Sequence, residues 1–229
     1  MSALRRAGAF VLLLAASLSM SNCSNNASSN TQLRVLQASP DETTTLNVLL
    51  DGSTVFSNLA LDTPSSYSLV NSGSRHLQVE PSNSNTPAID ETVTFDSSTN
   101  YTLITANFAT SLTPIFLTDN HSAPASGDFQ LRLVNAAPSA GAIDIYVVSP
   151  GTPAGSVPPT VSSLLFTSAT SYQMLTAGTY DIIFTQAGFP GVPYVQMSSV
   201  AFAAGQNRTV VLAPNANGGY TAVTLNDLN

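Results

Sequence analysis

The chain has 229 residues, of which 43% are apolar and only 8% carry a charge, and its formal net charge is −7. Because about a quarter of the residues in an ordinary globular domain are charged, most of the polar surface must come from Ser, Thr and Asn, which favour exposed strand faces over helix faces. All six basic residues are arginine, and so few positive charges argue against binding to nucleic acid or to anionic lipid through a basic patch.

The first 22 residues are predicted to be a signal peptide. Arg5 and Arg6 precede an apolar run over residues 7–18, which is the arrangement of a secretory signal and is too short to span a bilayer. The segment Leu-Ser-Met-Ser-Asn-Cys that ends at Cys23 resembles a bacterial lipobox, whose cysteine is lipidated and becomes the first mature residue. Asn22 occupies a position where a small residue is usual, so cleavage without lipidation near residues 19–21 is the alternative.

The lipobox interpretation predicts where in the cell the protein is located. Cys23 is the only cysteine of the chain, so lipidation also accounts for an otherwise unpaired thiol in an exported protein. Residues 23–32 then form a flexible polar tether to a lipid anchor in the bacterial cell envelope, at the outer membrane or in the periplasm. Without Arg5 and Arg6 the mature chain has four arginines against thirteen acidic residues, a formal charge of −9.

The rest of the chain is predicted to consist of β-strands, without helices. Apolar residues alternate with polar ones over short stretches, and turn residues follow about every eight to twelve residues. Asp51-Gly52 lies between two such stretches and predicts a tight hairpin, since both residues tolerate positive φ. The predicted strands of the first half cover residues 33–37, 45–50, 54–58, 66–70, 75–80, 89–95, 100–107 and 112–118.

One module is used twice along the chain. Residues 33–40, Leu-Arg-Val-Leu-Gln-Ala-Ser-Pro, return at 131–138 as Leu-Arg-Leu-Val-Asn-Ala-Ala-Pro. Tyr67 returns at a larger offset as Tyr172, which indicates loop insertions in the second copy. We therefore predict an all-β protein of two tandem antiparallel β-sandwich domains, immunoglobulin-like or transthyretin-like, with repeat 1 at 33–119, a linker at 120–129 and repeat 2 at 130–229.

The linker and the repeated tyrosines leave alternatives open. The linker contains Pro124 and Gly127 and is either a hinge or a packed connection. The mature chain has no second cysteine for a disulfide, so we expect each sandwich to be stable from packing alone. Tyr67 and Tyr172 are corner residues whose hydroxyls bond the backbone, plain core aromatics or, in a third interpretation, rings on which a ligand stacks.

Together these motifs resemble a known family. They are the Leu-Arg opening with its Ala-x-Pro end, the strand Leu-Asn-Val-Leu or Ile-Asp-Ile-Tyr after it, the Ser-Tyr…Gly turn and the Asn-x-Thr start of a late strand. The pattern is similar to the bacterial envelope family catalogued as domain of unknown function 4397, and the resemblance covers about residues 33–228. It implies the sandwich fold, tandem copies and an exported or lipid-anchored address, and it implies no activity.

The sequence predicts no catalytic site, metal site or cofactor. It contains no Gly-x-Ser-x-Gly elbow, His-Glu-x-x-His motif or phosphate-binding Gly-rich loop. His76 lies on a predicted solvent face and His121 in the linker, and the second copy has no histidine, which excludes a duplicated His-dependent site. The acidic pairs at 41–42 and 90–91 do not recur in the second copy, and we interpret each as a solvated turn or strand edge rather than a calcium site.

The best candidates for binding are two loops of the second copy, because binding residues are often carried by loops on a rigid scaffold. Residues 149–159 form a longer, Pro- and Gly-rich loop where the first copy has the hairpin at 51–52. Residues 188–194 form a second loop that carries Phe189 and Tyr194 and is stiffened by prolines. If strands simply alternate in direction, the two loops lie at opposite ends of the domain and cannot form one site. In the alternative interpretation, Phe189 and Tyr194 plug the end of the sandwich or pack against the first domain.

The sequence leaves three function classes open. The leading one is a non-catalytic cell-envelope lipoprotein with a structural, adhesive or protein-interaction role, which contacts an envelope protein through loops or edge strands. The alternative is a polysaccharide- or glycan-binding module with Phe or Tyr platforms, although the chain lacks Trp, the preferred sugar-stacking residue. An enzyme is the third class, and it would require a site that the sequence does not show.

Overall fold

The computed structural model describes residues 31–119 and 122–228, which form sixteen β-strands and two short 3-10 turns. The first half contains β1 (Gln32–Gln37), β2 (Leu46–Leu50), β3 (Ser53–Leu59), β4 (Ser68–Leu69), β5 (Gly73–Pro81), β6 (Ile89–Phe95), β7 (Asn100–Ala106) and β8 (Thr113–Asp119). The second half contains β9 (Asp128–Asn135), β10 (Ile143–Val148), β11 (Val161–Leu164), β12 (Gln173–Thr176), β13 (Gly178–Gln186), β14 (Phe189–Phe202), β15 (Asn207–Pro214) and β16 (Tyr220–Asp227). The 3-10 turns are Ala109–Ser111 and Pro138–Ala140. All eight strands predicted for the first half are confirmed, with bounds that differ by a few residues.

The strands form four sheets of four strands, two in each half. The first half has the orders β4-β1-β7-β8 and β3-β2-β5-β6, and the second half has β12-β9-β15-β16 and β11-β10-β13-β14. The strand order is therefore the same in both halves, and the predicted tandem β-sandwich fold is confirmed. One pair in each half, β1–β7 and β9–β15, is parallel, because the chain crosses to the other sheet of its sandwich and back between these strands rather than turning in a hairpin.

Local sequence explains the β2–β3 hairpin. Asp51 and Gly52 have φ of 50° and 76°, so both central residues of the turn are in the left-handed region, as the type I′ turns that suit twisted hairpins require. The Asp51 carboxylate also accepts the backbone N–H of His76 at 3.0 Å. The hairpin predicted from Asp51-Gly52 is thus confirmed, and it is fixed to the neighbouring strand β5.

Each sandwich has its own core between its two sheets. In the first, alternate residues of β2 and β5 point inward, and an aromatic group of Phe95, Tyr101 and Phe116 lies beside them with ring centroids 5.1–5.5 Å apart. In the second, Phe129 stacks on Phe202 at 4.5 Å. These contacts account for one face of every sheet.

A third core joins the two sandwiches. It lies between the sheets β4-β1-β7-β8 and β12-β9-β15-β16, which we call the inner sheets, and we call this core the seam. The buried residues of the seam are Leu36, Ala38, Ile104, Ala106 and Ile115 from the first half and Val134, Ala136, Val211, Ala213 and Leu225 from the second. The central strands of the inner sheets are therefore buried on both faces, and β7 is buried at every position. The two sandwiches that the linker joins are thus packed against each other.

The seam makes the stability of each half depend on the other. Ile104→Ala should lower the free energy of unfolding by about 2–5 kcal/mol, because the side chain is fully buried in the seam. Hydrogen exchange should then quicken in β15 of the second sandwich as well as in β7. The matched control is Leu103→Ala, at the next residue of the same strand, which faces the core of the first sandwich. We expect its effect to appear first within the first sandwich, and identical exchange maps for the two variants would contradict the assignment of the two faces.

Candidate functional site

The segment 188–194, which the sequence predicted to be a loop, belongs instead to the start of β14. Gly188 has φ of 76° and completes a tight turn after β13, and β14 begins at Phe189. Proline is tolerated here because β14 is an edge strand, where a missing N–H removes no ladder hydrogen bond. The loop prediction is therefore wrong, because β14 includes Pro190 and Pro193 with only shifts in its register to β13.

The two candidate segments meet, although the sequence predicted that they could not. Residues 151–154 and the start of β14 line a cleft of about 450 Å³, with Ile183 and Gln196 between them. The loops do leave the strands at opposite ends, but the long loop after β10 folds back across the outer face of β13 and β14. A Cβ added at Gly155 would come within 2.7 Å of Pro190 Cγ, which shows how closely the two backbones approach.

A buried carboxylate holds the long loop in this position. Asp181 accepts the backbone N–H of Gly151 at 2.8 Å and that of Ser199 at 2.7 Å. These two hydrogen bonds, with that from Ser199 the stronger influence, keep the pKa of Asp181 below its usual range, because they stabilise the ionised form. The loop and the bulged part of β14 are thus attached to one residue of β13, and the cleft is preformed.

Phe189 and Tyr194 have different surroundings. Phe189 is 64% exposed and Val192 is 78% exposed, so together they form an apolar surface at the β13–β14 turn. Tyr194 is half-buried against the core of the second sandwich, with its ring centroid 4.7 Å from that of Tyr220 and its hydroxyl donating to Ala140 O at 3.3 Å. Neither ring is among the residues that line the cleft. A binding role stays a prediction for both residues, and packing at the edge of the sandwich describes Tyr194.

The seam contains a cluster of charges that sequence reasoning missed. Arg34 in β1 pairs with Asp227 at the end of β16, and Arg132 in β9 pairs with Asp119 at the end of β8. All four side chains are at most 5% exposed. Each arginine thus crosses from its own sandwich to an aspartate of the other, and we call these four residues the charge clamp.

The remaining donors of both arginines are satisfied by equivalent partners. Arg34 Nε donates to Thr102 Oγ1 at 2.8 Å, and Arg132 Nε donates to Thr209 Oγ1 at 3.0 Å. One further nitrogen of each donates to a backbone carbonyl of the opposite sandwich, that of Asn226 for Arg34 and that of Thr118 for Arg132, at 2.8 and 2.9 Å. Buried ion pairs are favourable only when such additional bonds are made.

The repeated tyrosines cover the clamp. Tyr67 lies over the guanidinium of Arg34 and Tyr172 over that of Arg132, each 4.7 Å from ring centroid to Cζ, which is the geometry of a cation–π contact. Their hydroxyls donate to Asp119 and Asp227 at 2.6 and 2.7 Å. Burial raises the pKa of both hydroxyls, which therefore stay protonated as donors. The corner interpretation is wrong, because these hydroxyls bond carboxylates and not the backbone.

A sequence signal for the clamp existed. Arg34 and Arg132 occupy the same position of the repeated octapeptide, within strands that are otherwise mostly apolar and in a chain with very few charges. Asp119 and Asp227 likewise end the last strand of each half. A repeated charge in a buried strand requires a repeated countercharge, and this rule would have directed attention to the two aspartates.

The other candidates from the sequence occupy surface positions. His76 Nε2 lies 2.5 Å from Asp90 Oδ1 in an exposed pair, and the hydrogen bond from His76 lowers the pKa of Asp90. Asp41 accepts the backbone N–H of Ala109 at 2.8 Å and so fixes a turn. No group of three or more possible metal ligands occurs within 31–119 and 122–228. No helix in those ranges is long and apolar enough to cross a membrane.

Several predictions from the sequence concern residues that the structure does not describe. The signal peptide, Cys23 and most of the tether at 23–32 lie outside the described residues, as does His121 in the linker. The lipid anchor therefore stays a prediction.

The carboxylate of Asp62 is half-buried and has no countercharge among the described residues. Asp62 lies between β3 and β4 with φ of 56°, and its backbone N–H donates to Gln37 O at 2.9 Å. Its Oδ1 is buried and accepts no hydrogen bond from the described residues. Loss of solvation therefore raises the pKa of Asp62 to about 6, since burial penalises the charged form.

Comparison with known families finds one that matches the first half of the chain and beyond. A model described as Domain of unknown function (DUF4397) matches residues 31–146, which extend from just before β1 into β10. The matched region thus includes the whole first sandwich, the linker and the first strands of the second. A search of the curated proteins finds no match.

The clamp should be far more important for stability than an exposed ion pair. Arg34→Met leaves Asp227 buried without its partner, and removal of one partner of a buried pair costs about 3–5 kcal/mol. The control is Arg75→Met, because Arg75 pairs with Asp51 at 3.1 Å with both side chains at least 30% exposed, and exposed pairs contribute about 0–1 kcal/mol. Urea unfolding monitored by circular dichroism measures both changes, and a similar loss in both variants would refute the role of the clamp.

Asp62 should lower the free energy of unfolding as pH rises, whereas most carboxylates of folded proteins raise it. Its pKa is raised on folding, so ionisation destabilises the native state as pH rises from about 4, the unfolded value, to about 6. Asp62→Asn should therefore stabilise the protein by about 1–2 kcal/mol at pH 7, after allowance for partial exposure, and by almost nothing near pH 3.5. The control is Asp51→Asn, also at positive φ, where the pKa is lowered mainly by the His76 N–H. That variant should be destabilised at pH 7, and a pH-independent effect of Asp62→Asn would contradict this account.

Proposed function

The chain belongs to the DUF4397 family, defined by a domain of unknown function, and from this premise we propose that it is a non-catalytic cell-envelope lipoprotein with a structural, adhesive or protein-interaction role. In this proposal the second sandwich is a second copy of the same domain. The support for that copy is the equal strand order of the two halves and the equivalent arginine, tyrosine, threonine and aspartate residues at the seam.

One observation carries the proposal of a structural role. The charged side chains that the fold buries most completely have their hydrogen-bonding groups directed at other parts of the protein. Arg34 and Arg132 join the two sandwiches, and Asp181 fixes a loop through backbone N–H groups. Such groups stabilise a rigid body, and a rigid body suits a protein that presents a surface to partners.

The contact surface in this proposal is the β13–β14 turn with the adjoining cleft. Phe189 and Val192 are exposed apolar residues on the sheet β11-β10-β13-β14, which faces away from the seam. The lining of the cleft next to them includes Pro153, Pro190 and Pro193, whose restricted backbone reduces the entropy lost on binding. A protein partner of the envelope is the occupant that the exposed side chains of Phe189 and Val192 beside this cleft favour.

A polysaccharide is the second candidate ligand, favoured by the exposed ring of Phe189. Phe189 is 64% exposed, so its ring is accessible to a sugar, and the next residue, Pro190, lines the cleft. Phenylalanine offers an apolar platform for such stacking. This candidate predicts binding of a soluble polysaccharide, whereas the leading proposal predicts binding to a protein.

The contact surface can be tested with matched substitutions of exposed apolar residues. The double variant Phe189→Ala/Val192→Ser should weaken binding to intact bacterial envelopes at least about tenfold, which corresponds to 1.4 kcal/mol, with the melting temperature unchanged. The control Leu165→Ser/Met174→Ser removes two residues of similar exposure, 62% and 53%, elsewhere on the second sandwich and should bind normally. Tyr194→Ala should lower the melting temperature, because Tyr194 packs against the core.

The same binding measurement distinguishes the candidates. Loss of binding after protease treatment of the envelopes favours a protein partner, and saturable binding to purified polysaccharide favours the second candidate. Equal binding by wild type and the Phe189→Ala/Val192→Ser variant would reject this surface. The proposed address has its own test, because Cys23→Ala should release the protein from membranes while Ser24→Ala should not. Unchanged membrane association of Cys23→Ala would reject the lipid anchor.

A further inference from the structure

The seam is built from two equivalent halves. The residue in β1 that crosses the seam has its equivalent in β9, and the acceptor at the end of β16 has its equivalent at the end of β8. Contacts of this reciprocal form, in which each side presents the same donor and the same acceptor, define an isologous interface. Two identical subunits related by a twofold axis make such interfaces, and here a single chain makes one between its repeats.

The equivalence extends to the tyrosines and threonines around the charge clamp and to most of the apolar residues. Each arginine is covered by a tyrosine of its own sandwich, and each aspartate accepts bonds from a tyrosine and a threonine of its own sandwich. Most of the apolar residues correspond in the same way, and only Phe166 and Ala169 of the second half have no equivalent in this core. The equivalent pairs are Leu36 with Val134, Ala38 with Ala136, Ile104 with Val211, Ala106 with Ala213, Ile115 with Val223 and Leu117 with Leu225.

We propose that the inner sheet of each sandwich is a self-complementary docking surface whose alternative partner is the same sandwich of a second copy of this chain. Placed against a second first sandwich, Arg34 would meet Asp119 in the position that Asp227 occupies within the chain. The second sandwich offers Arg132 and Asp227 for the same arrangement. The charge balance is preserved in either pairing, so electrostatics does not forbid like-with-like contacts.

Two factors keep the pairing within one chain. The linker between Asp119 and Asp128 holds the partner sandwich at an effective concentration in the millimolar range or above. The apolar side chains that the two halves contribute to the seam also differ in size. Leu36, Ile104 and Ile115 of the first half each have one methylene group more than their equivalents in the second half, Val134, Val211 and Val223. Two first sandwiches would therefore be packed more tightly than the native pair, which weakens that contact without preventing it. The wild-type chain is expected to be monomeric at micromolar concentration.

Charge reversal in the full chain tests the proposal. In Arg34→Asp/Asp119→Arg, like charges face each other across the seam within one chain, whereas two copies of the reversed sandwich again place Asp opposite Arg. This variant should assemble into dimers or larger species, seen as an at least twofold rise in mass by light scattering. The control reverses all four clamp residues, with Arg132→Asp and Asp227→Arg added, which restores opposite charges within one chain. It should be monomeric although it carries more substitutions.

The outcomes separate clearly. A folded, monomeric half-reversed variant would overturn the proposal, as would a half-reversed variant that unfolds while the fully reversed control folds. If the control does not fold, a second measurement decides with wild-type residues at the seam. A protease site placed within 120–127 of the full chain is cut, the cut protein is partly unfolded in urea and diluted, and native mass spectrometry identifies the complexes. Complexes with two copies of the same half support the proposal, and complexes of one copy of each half alone overturn it.

These results do not depend on the proposed contact surface at Phe189 and Val192. That surface lies on β14, in the sheet farthest from the seam within the second sandwich. A variant that loses envelope binding but keeps its mass therefore tests the contact surface. A variant that assembles but keeps envelope binding tests the seam.

Discussion

The burial of two arginine–aspartate pairs between two apolar sheets is the constraint on which the rest of the structure depends. Ionised side chains in such a place are strongly destabilising unless each finds a countercharge and further hydrogen bonds. Arg34 finds Asp227 and Arg132 finds Asp119 only when the two sandwiches are docked in one orientation. The apolar residues of the seam provide the driving force for docking, and the charge clamp selects its geometry.

Several features of the sandwiches follow from this constraint. The strands β1, β7, β9 and β15 need side chains that suit a buried environment on both faces, and their burial patterns show almost no exposed position. Tyr67 and Tyr172 must stay close to the arginines, which explains why the Ser-Tyr turn recurs in both copies. The outer sheets have one solvent face each, and the variable features, such as the cleft and the exposed turn at Phe189, occur there. The two copies share the residues of the seam and differ in their outer sheets. The chain is therefore one rigid body with a contact surface on one outer sheet.

The sequence predicts the strands well and the arrangement of the sandwiches poorly. The alternation of apolar and polar residues is informative where one face of a strand contacts solvent, as in β2, where Leu46, Val48 and Leu50 point inward. The hairpin at Asp51-Gly52 follows from local backbone preference alone. In β1, Leu33 and Val35 face the core of the first sandwich, whereas Arg34 lies on the face that the other sandwich covers. A pattern of period two reports which residues share a face but not what covers that face. The cleft was missed for a related reason, since strand direction places loops at the ends of a sheet but does not tell whether a long loop folds back across it.

Calorimetric unfolding of the wild-type protein is the most direct test of the claim that the seam makes the two sandwiches one body. We expect a single transition whose van't Hoff enthalpy equals the calorimetric enthalpy for the whole chain, as for one cooperative unit. Two resolved transitions, or a calorimetric enthalpy about twice the van't Hoff value, would show that the sandwiches unfold independently and would contradict it.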